Sequence, residues 1–322
     1  MTHRIVVSDA KAEESDLEIH REVLSRVDAE VVASELRTEE EVREAATDAT
    51  ALIVDTRTPV TAAVLEENDG LQVVGRAGIG VDNVAIDAAK EAGVTVVNAP
   101  TYCLDEVATH ALSLLLACLR SLPSYDREVR KGGWDWRAGE PAVRLREATL
   151  GLAGFGRIPR RLATMVQGFG CELLVHDPYI PDGEIATYNA ESVEFDALLE
   201  RSDLLSVHLP LTDDTEGTFD REAFERMPDH AILANTARGG VIDEADLANA
   251  LEAGEIEAAG LDVLCEEPPE ESPLLERDDV LFSPHAGWYS ESAREDLARE
   301  VAGDVARVLA GEEPRNPVTD DW

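Results

Sequence analysis

Between Thr149 and Asp177 the chain reads TLGLAGFGRIPRRLATMVQGFGCELLVHD, and no other stretch restricts its fold as tightly. Thr149 to Ala153 is a short apolar run of strand character, and Gly154-Phe155-Gly156 is a tight turn. Arg157 to Gln167 then has helical spacing, and Cys171 to His176 is a second strand ending on Asp177. This is one βαβ unit, the element of a parallel sheet. Its glycines have a chemical meaning. Gly154 lets the chain turn sharply, and Gly156 lets backbone approach a pyrophosphate stabilised by the unpaired N–H groups and dipole of a helix N-terminus. Asp177, 23 residues after Gly154, is placed to accept hydrogen bonds from ribose hydroxyls. A carboxylate there repels a 2′-phosphate, and Pro178-Tyr179-Ile180 brings no arginine to receive one, so NAD is favoured over NADP. Pro159 occupies the third glycine position of G-x-G-x-x-G. Proline is tolerated in a helix's first turn, so this is a change of packing with binding retained.

The rest of the chain alternates in the same way. In residues 1–99, Ile5–Ser8, Val31–Ser34, Ala51–Asp55, Leu71–Gly75 and Val94–Asn98 read as strands, with helices near 13–26, 38–46, 59–67 and 85–92. Such alternation predicts a parallel sheet covered on both faces. No glycine phosphate turn follows the first strand, so this is a second α/β domain of another purpose. Pro100 breaks the pattern, and a strongly apolar helix from Leu104 to Arg120 follows, expected to be buried on nearly all sides. Residues 131–137 read as a loop holding Trp134 and Trp136. Beyond Asp177 the spacing predicts helices at 193–200, 221–227 and 244–253, strands at 203–208, 231–235, 256–262 and near 280–283, and a last helix from Ser290 to about Leu309. With the glycine turn mid-chain, the expected architecture is α/β with two doubly wound parallel-sheet domains. A Rossmann NAD-binding domain, residues 100–290, is inserted into a discontinuous outer substrate domain, residues 1–99 and 291–322.

Charge narrows the setting. The chain has 67 acidic against 28 basic residues, a formal net charge of −39, with the acids scattered through amphipathic segments rather than gathered in a tail. A folded protein this charged repels itself unless salt screens it, and at molar salt the Debye length is about 3 Å. The expectation is a halophile's cytoplasmic protein, with neither nucleic acid nor anionic membrane as partner. Cys103, Cys118, Cys171 and Cys265 are widely spaced, which argues against disulfides and metal sites. Ala111–Leu119, the longest apolar run, is too short to span a bilayer.

Three polar groups follow strands of the second domain: Arg238 after Ala234-Asn235-Thr236-Ala237, Glu267 after Leu261-Asp262-Val263-Leu264, and His285 in Ser283-Pro284-His285-Ala286. Strand ends of a doubly wound sheet converge, so these can meet. Histidine suits proton donation to a developing alkoxide, a neighbouring carboxylate favours its protonated form, and arginine can pair with a carboxylate or polarise a carbonyl. Read singly, each has a plain structural alternative, such as a surface ion pair; together, behind a cofactor turn, they are a catalytic set. In the first domain, Arg76-Ala77-Gly78-Ile79-Gly80 joins a guanidinium to a loosened turn at a strand's carboxyl end, which suits a carboxylate ligand.

The chain resembles the D-isomer-specific 2-hydroxyacid dehydrogenase family over nearly its whole length. The matching segments are GRAGIGVDN (75–83), LGLAGFGRIPRRLA (150–163), VHDP (175–178), LLSVHLPLTDDT (204–215), ANTARGGVIDEADLANAL (234–251), GLDVLCEEPP (260–269) and SPHAGWYS (283–290). The resemblance implies hydride transfer between NAD and C2 of a small 2-oxo or 2-hydroxy acid, with Arg238, Glu267 and His285 catalytic. It implies cofactor contacts at Gly154, Phe155, Gly156, Arg157, Ile158, Asp177, His208, Pro210, Thr215, Thr236 and Asp262, the last at the nicotinamide amide. Substrate-carboxylate contacts carry over to Arg76, Gly78 and Ile79. It further implies two flavodoxin-like domains with a cleft between them, and a homodimer built on the cofactor domain. HDPYIPDG and HAGWYS resemble the C-terminal-binding-protein branch, in which Trp288 lines the substrate pocket and an NAD-sensing scaffold with vestigial activity is an alternative. GRAGIGVDNV and GLDVLCEEPP also resemble phosphoglycerate dehydrogenases, for which Arg57 or Arg137 could receive a substrate phosphate.

Overall fold

The computed structural model describes residues 2–8, 14–140 and 142–319. Residue 13 of the helix expected near 13–26, and residues 1 and 320–322 of the expected outer domain, lie outside these. The chain forms two compact units, Met1–Tyr102 with Ser290–Trp322, and Cys103–Tyr289.

The first unit runs β1 (His3–Ser8), α1 (Glu14–Leu24), β2 (Ala29–Ala33), α2 (Glu39–Ala46), β3 (Ala51–Val54), α3 (Ala62–Glu66), β4 (Val73–Arg76), α4 (Ile86–Glu91) and β5 (Thr95–Asn98), and ends in the helix Glu291–Leu309. Its sheet has the order β2-β1-β3-β4-β5, every pair parallel. That is the flavodoxin-like doubly wound order. Successive side chains of a strand point to opposite faces, and the β-branched runs are apolar at every position because both faces are covered. Ile5, Val7, Ile53 and Val73 pack with Leu297, Val301 and Val305 of the closing helix. Val6, Leu52, Val54 and Val74 pack with Val42, Val64 and Leu65 on the other face. Thr38 caps α2 in a reciprocal box with Glu41, which satisfies two otherwise unpaired N–H groups. The register opposes Val54 to Arg76 and Arg76 to Asn98. The loops leaving β3, β4 and β5 therefore emerge side by side.

His20 is fully enclosed in this unit, and burial pushes its imidazole down to about 4, against a weaker opposing bond to the Asp16 backbone. An unfolded histidine protonates near 6.5, so between those values the unfolded chain binds the extra proton. Stability from His20 is complete above about pH 6.5 and falls as pH drops toward 4, by about 3 kcal/mol. Denaturant unfolding across that range should show the slope, and His20→Gln should flatten it.

The second unit runs α5 (Leu104–Leu119), α6 (Leu122–Arg130), β6 (Thr149–Ala153), α7 (Arg157–Val166), β7 (Glu172–His176), α8 (Asp182–Ala186), β8 (Glu191–Ser192), α9 (Phe195–Arg201), β9 (Leu204–Val207), α10 (Arg221–Arg226), β10 (Ile232–Asn235), α11 (Glu244–Ala253), β11 (Ala258–Leu261) and β12 (Val280–Phe282). The sheet order is β12-β11-β10-β9-β6-β7-β8. Counted from β6 this is the Rossmann order with one added strand, and its switch point lies between β6 and β9. Leu205, Val207, Leu233 and Phe219 fill one side of the sheet. Leu150, Leu152, Leu162, Leu115 and Val175 fill the other.

One expectation is corrected and one element is new. α5 is buried along one stripe (Val107, Ala108, Ala111, Leu114, Leu115, Leu119) and exposes Asp105, Thr109 and Ser113, because its polar positions recur at helical spacing. Residues 122–130, which carried no assignment, form α6, whose Pro123 sits in the first turn where its missing N–H costs nothing. Among the described residues no single helix is long and apolar enough to cross a membrane.

Candidate active site

The turn after β6 is built to hold its backbone open. Gly154 has φ +94°, and a Cβ there would lie 2.8 Å from the carbonyl oxygen of His208 at the end of the neighbouring strand. Only glycine meets both demands. Phe155 is buried, and its N–H donates to Asp177 Oδ2 at 2.7 Å, while the Tyr179 N–H donates to Asp177 Oδ1 at 2.9 Å. The carboxylate at the tip of β7 is thus fixed across from the turn. Gly156 is the N-cap of α7, and a Cβ built on it meets no atom within 4 Å. The absent methyl leaves an open cradle at the helix N-terminus. Arg157, exposed there, has no ion pair among the described residues. Pro159 is the third residue of α7 and buried, within the first turn where N–H groups have no intrahelical acceptor.

His208, just past β9, borders this turn, and further polar residues lie on the loops after β9 and β10. His208 shares a 2.9 Å hydrogen bond between Nε2 and Ser206 Oγ, and burial pushes its imidazole down to about 3, so it is neutral at pH 7. Thr215 Oγ1 donates to the Pro210 carbonyl and closes that exposed loop. Thr236 Oγ1 is buried without a hydrogen-bond partner. A buried hydroxyl left unsatisfied is uncommon and marks a place where a ligand group fits. The open cradle, the oriented carboxylate and this orphan hydroxyl together fit a bound dinucleotide.

The other strand ends carry the polar trio singled out in the sequence. His285 Nδ1–H donates to Glu267 Oε2 at 2.6 Å, and both side chains are about one-third exposed (29% and 36%), so the pair is open to a ligand. Histidine sits at φ +53°, a conformation costly for a residue with a Cβ. Asp262 holds it. The Asp262 carbonyl accepts the His285 N–H (2.8 Å), its Oδ1 accepts the Ala286 N–H (2.8 Å), and its Oδ2 accepts the Gly287 N–H (2.8 Å). Burial would raise the Asp262 pKa, but hydrogen bonds from His110, Ser283, Ala286 and Gly287 outweigh it and hold the carboxyl below its usual range. Arg238 follows β10 on a loop that buried Asn235 braces, donating to the Arg238 carbonyl (2.9 Å) and accepting the Ala237 N–H (2.9 Å). Next to it, buried Gly239 lies directly against the backbone of Leu264 and Cys265, so the loops bearing Arg238 and Glu267 are in contact. Trp288 is half-buried, edge-on to Tyr289 with centroids 5.6 Å apart.

In the first unit Arg76 is buried at the end of β4. It donates from Nε to Asn83 Oδ1 (3.4 Å) and from Nη1 to the Ala77 carbonyl (3.0 Å). Gly78, at φ +145°, lies where a Cβ would run into that guanidinium. Buried Asn98 donates to the Ile79 carbonyl at 2.6 Å. Asn83 also donates to the carbonyls of Asp55 and Thr58, which ties the Arg57 loop to Arg76. Arg57 is exposed and has no ion pair among the described residues. Arg137, in the second unit, is engaged by Asp135 at 3.2 Å and by the face of Trp136.

Sequence reasoning missed His110, Ser283 and Asn235. His110 interrupts an apolar helix, and that single imidazole was the available signal. Ser283 and Asn235 read as ordinary residues of a loop and a strand.

Residues 112–287 match the family model described as D-isomer specific 2-hydroxyacid dehydrogenase, NAD binding domain. The chain belongs to this family. Its Rossmann unit is therefore an NAD-binding domain. D-3-phosphoglycerate dehydrogenase of Mycobacterium bovis is 42% identical over 265 residues, covering 82% of this chain and 50% of that protein. The chain thus spans about half the length of that relative. Hydroxypyruvate reductase of Thermotoga maritima is 34% identical over 297 residues, covering 91% of this chain and 95% of the other. The apo structure of Rhodotorula graminis D-mandelate dehydrogenase aligns with a TM-score of 0.87 at 27% identity, over 99% of this chain and 98% of that one.

Proposed function

We propose that the protein is an NAD-dependent dehydrogenase of small 2-hydroxy acids, with His285 as proton donor to the substrate oxygen. The observation that carries this is the 2.6 Å bond from His285 Nδ1 to Glu267. A carboxylate that takes the Nδ1 proton fixes the tautomer and ring orientation, which leaves Nε2 to exchange a proton with substrate. NAD, when bound, supplies or accepts the hydride at C2. Gly154, Phe155, Gly156, Arg157 and Ile158 would hold the pyrophosphate, Asp177 the ribose, and His208, Pro210, Thr215, Thr236 and Asp262 the rest of the dinucleotide. Arg238 polarises the substrate carbonyl. Arg76, Gly78 and Ile79 take the carboxylate, and Trp288 sets pocket shape. In this reading residues 1–99 and 291–322 are the substrate domain and 100–290 the cofactor domain.

Similarity to the hydroxypyruvate reductase along nearly its full length supports a short hydroxylated 2-oxo acid as substrate. The unpaired Arg57, braced to Arg76 through Asn83, favours one second reading: a 3-phosphorylated substrate, hence phosphoglycerate dehydrogenase activity. The test is NADH turnover in multimolar KCl with pyruvate, glyoxylate, hydroxypyruvate and 3-phosphohydroxypyruvate. Absence of turnover with all of them, while NADH still binds, would favour the NAD-sensing scaffold instead.

Gly156→Ala probes the cofactor turn. Its Cβ points into open space, so the melting temperature should stay near wild type while the methyl occupies the pyrophosphate's place. NADH fluorescence titration should show affinity weakened by roughly 10- to 100-fold, the loss of one charge-assisted hydrogen bond or two.

The setting is a halophile's cytoplasm, a reading supported by the excess of acidic residues. The homodimer is supported by α6, which buries no residue, and by Trp134 and Trp136, which are 91% and 64% exposed in the single chain. Aromatic surface of that kind is where a second copy packs. Sedimentation in high salt should give a dimer for wild type and a monomer for Trp134→Ser with Trp136→Ser.

A further inference from the structure

The apolar stripe of α5 is interrupted at one place. His110 Nε2 lies 2.7 Å from Ser283 Oγ and 3.3 Å from Asp262 Oδ1. The Ser283 hydroxyl has a single proton, and it goes to Asp262 Oδ1 at 2.6 Å. Nε2 of His110 is therefore the donor, to Ser283 at 2.7 Å and more distantly to Asp262 at 3.3 Å, which fixes its protonated nitrogen. Asp262 is 3% exposed, and its carboxylate is held by these two side chains together with the backbone N–H groups of the turn it clamps. The same residue then accepts the N–H groups of His285, Ala286 and Gly287 in succession. Those bonds hold His285 in its left-handed conformation with Nδ1 on Glu267.

We propose that His110 and Ser283 are positioning residues for proton transfer: they orient Asp262, which in turn clamps the strained turn presenting His285 to Glu267. The inference rests on the dehydrogenase reading for its kinetic consequence, and on geometry alone for its structural one. Without the His110 donor, the Ser283 hydroxyl loses its orientation and the Asp262 carboxylate turns to follow it. A displacement of about 1 Å at a proton donor costs on the order of 100-fold in rate. Substrate and NADH need not touch His110 for this to happen.

The test compares His110→Leu, His110→Gln and Ser283→Ala in the full chain at high salt. His110→Leu keeps the volume and removes the N–H. His110→Gln restores an N–H donor. His110→Leu should lower kcat by roughly 10- to 100-fold and raise the solvent isotope effect, because proton transfer becomes slow. His110→Gln should recover most of the rate, and Ser283→Ala should resemble His110→Leu. A crystal structure of His110→Leu should show the His285–Glu267 bond broken or the 285–287 turn displaced. Wild-type kcat in His110→Leu, or equal losses in His110→Leu and His110→Gln, overturns the proposal. So does an unmoved His285–Glu267 pair in the His110→Leu crystal, a readout that stands even if wild type turns over no 2-oxo acid and the dehydrogenase reading itself fails.

Discussion

Replacing His285 with glutamine should lower kcat for reduction of the best 2-oxo acid by about 10²- to 10⁴-fold, the range for removing a positioned general acid. Glutamine fits the space and can still donate to Glu267, but it has no proton to give to an alkoxide. NADH affinity should stay within about 3-fold, because the interaction lost is one made in the transition state. Glu267→Gln should produce a smaller loss in the same direction. It keeps a hydrogen-bonding neighbour at Nδ1 while removing the carboxylate that fixes the ring's tautomer and orientation. Steady-state kinetics with a parallel NADH titration measures both. A His285→Gln enzyme within a few-fold of wild type would take the imidazole out of the chemistry.

Gly239→Ala should be the most damaging small substitution in the second unit. The added Cβ would fall on the carbonyl of Leu264 and the nitrogen of Cys265. Those are backbone atoms, which cannot swing aside like the end of a side chain, so the two loops must part. Overpacking of this kind costs about 1–3 kcal/mol. The displacement also reaches function, since Arg238 precedes Gly239 and the Leu264 N–H donates to Glu267 Oε1 at 3.4 Å. We expect a lower melting temperature together with a rate loss of roughly 10- to 100-fold. Gly240→Ala is the control. Its Cβ would meet only the flexible end of the exposed Leu211 side chain, at 3.1 Å, and the variant should be close to wild type in both measurements. Equal behaviour of the two variants would mean that the contact between the loops does not matter.

The elements legible in the sequence were those whose ends carry chemistry of their own. β6 was read as Thr149–Ala153 because an apolar run meets a glycine pair. α11 occupies 244–253, the range its spacing predicts, with Asp243 capping its start by accepting the N–H groups of Ala245 and Asp246, and Gly254 ending it at φ +70°. β8 could not be read. Glu191–Ser192 is a polar two-residue edge strand with no alternation to reveal it. α6 is not legible because the helix buries nothing, so no apolar stripe marks it. The site divides in the same way. Strand-end convergence made the meeting of Glu267 and His285 readable across 18 residues. The role of Asp262 as the clamp of the histidine turn was not readable, because it depends on contacts to His110 and Ser283, the first of them 173 residues from Ser283. Hydrogen bonds between side chains at such separations leave no local pattern in a sequence.

A dehydrogenase of this kind must move a hydride between nicotinamide and C2 of a 2-hydroxy acid. The most direct measurement is isotope transfer: NADH carrying deuterium on the transferring face of its nicotinamide is incubated with enzyme and hydroxypyruvate or 3-phosphohydroxypyruvate at high salt, and the acid is analysed by mass spectrometry and NMR. One deuterium should appear at C2 of the D-hydroxy acid, in step with NADH loss. NADH bound but never consumed, or consumed with no deuterium in the acid, would contradict it.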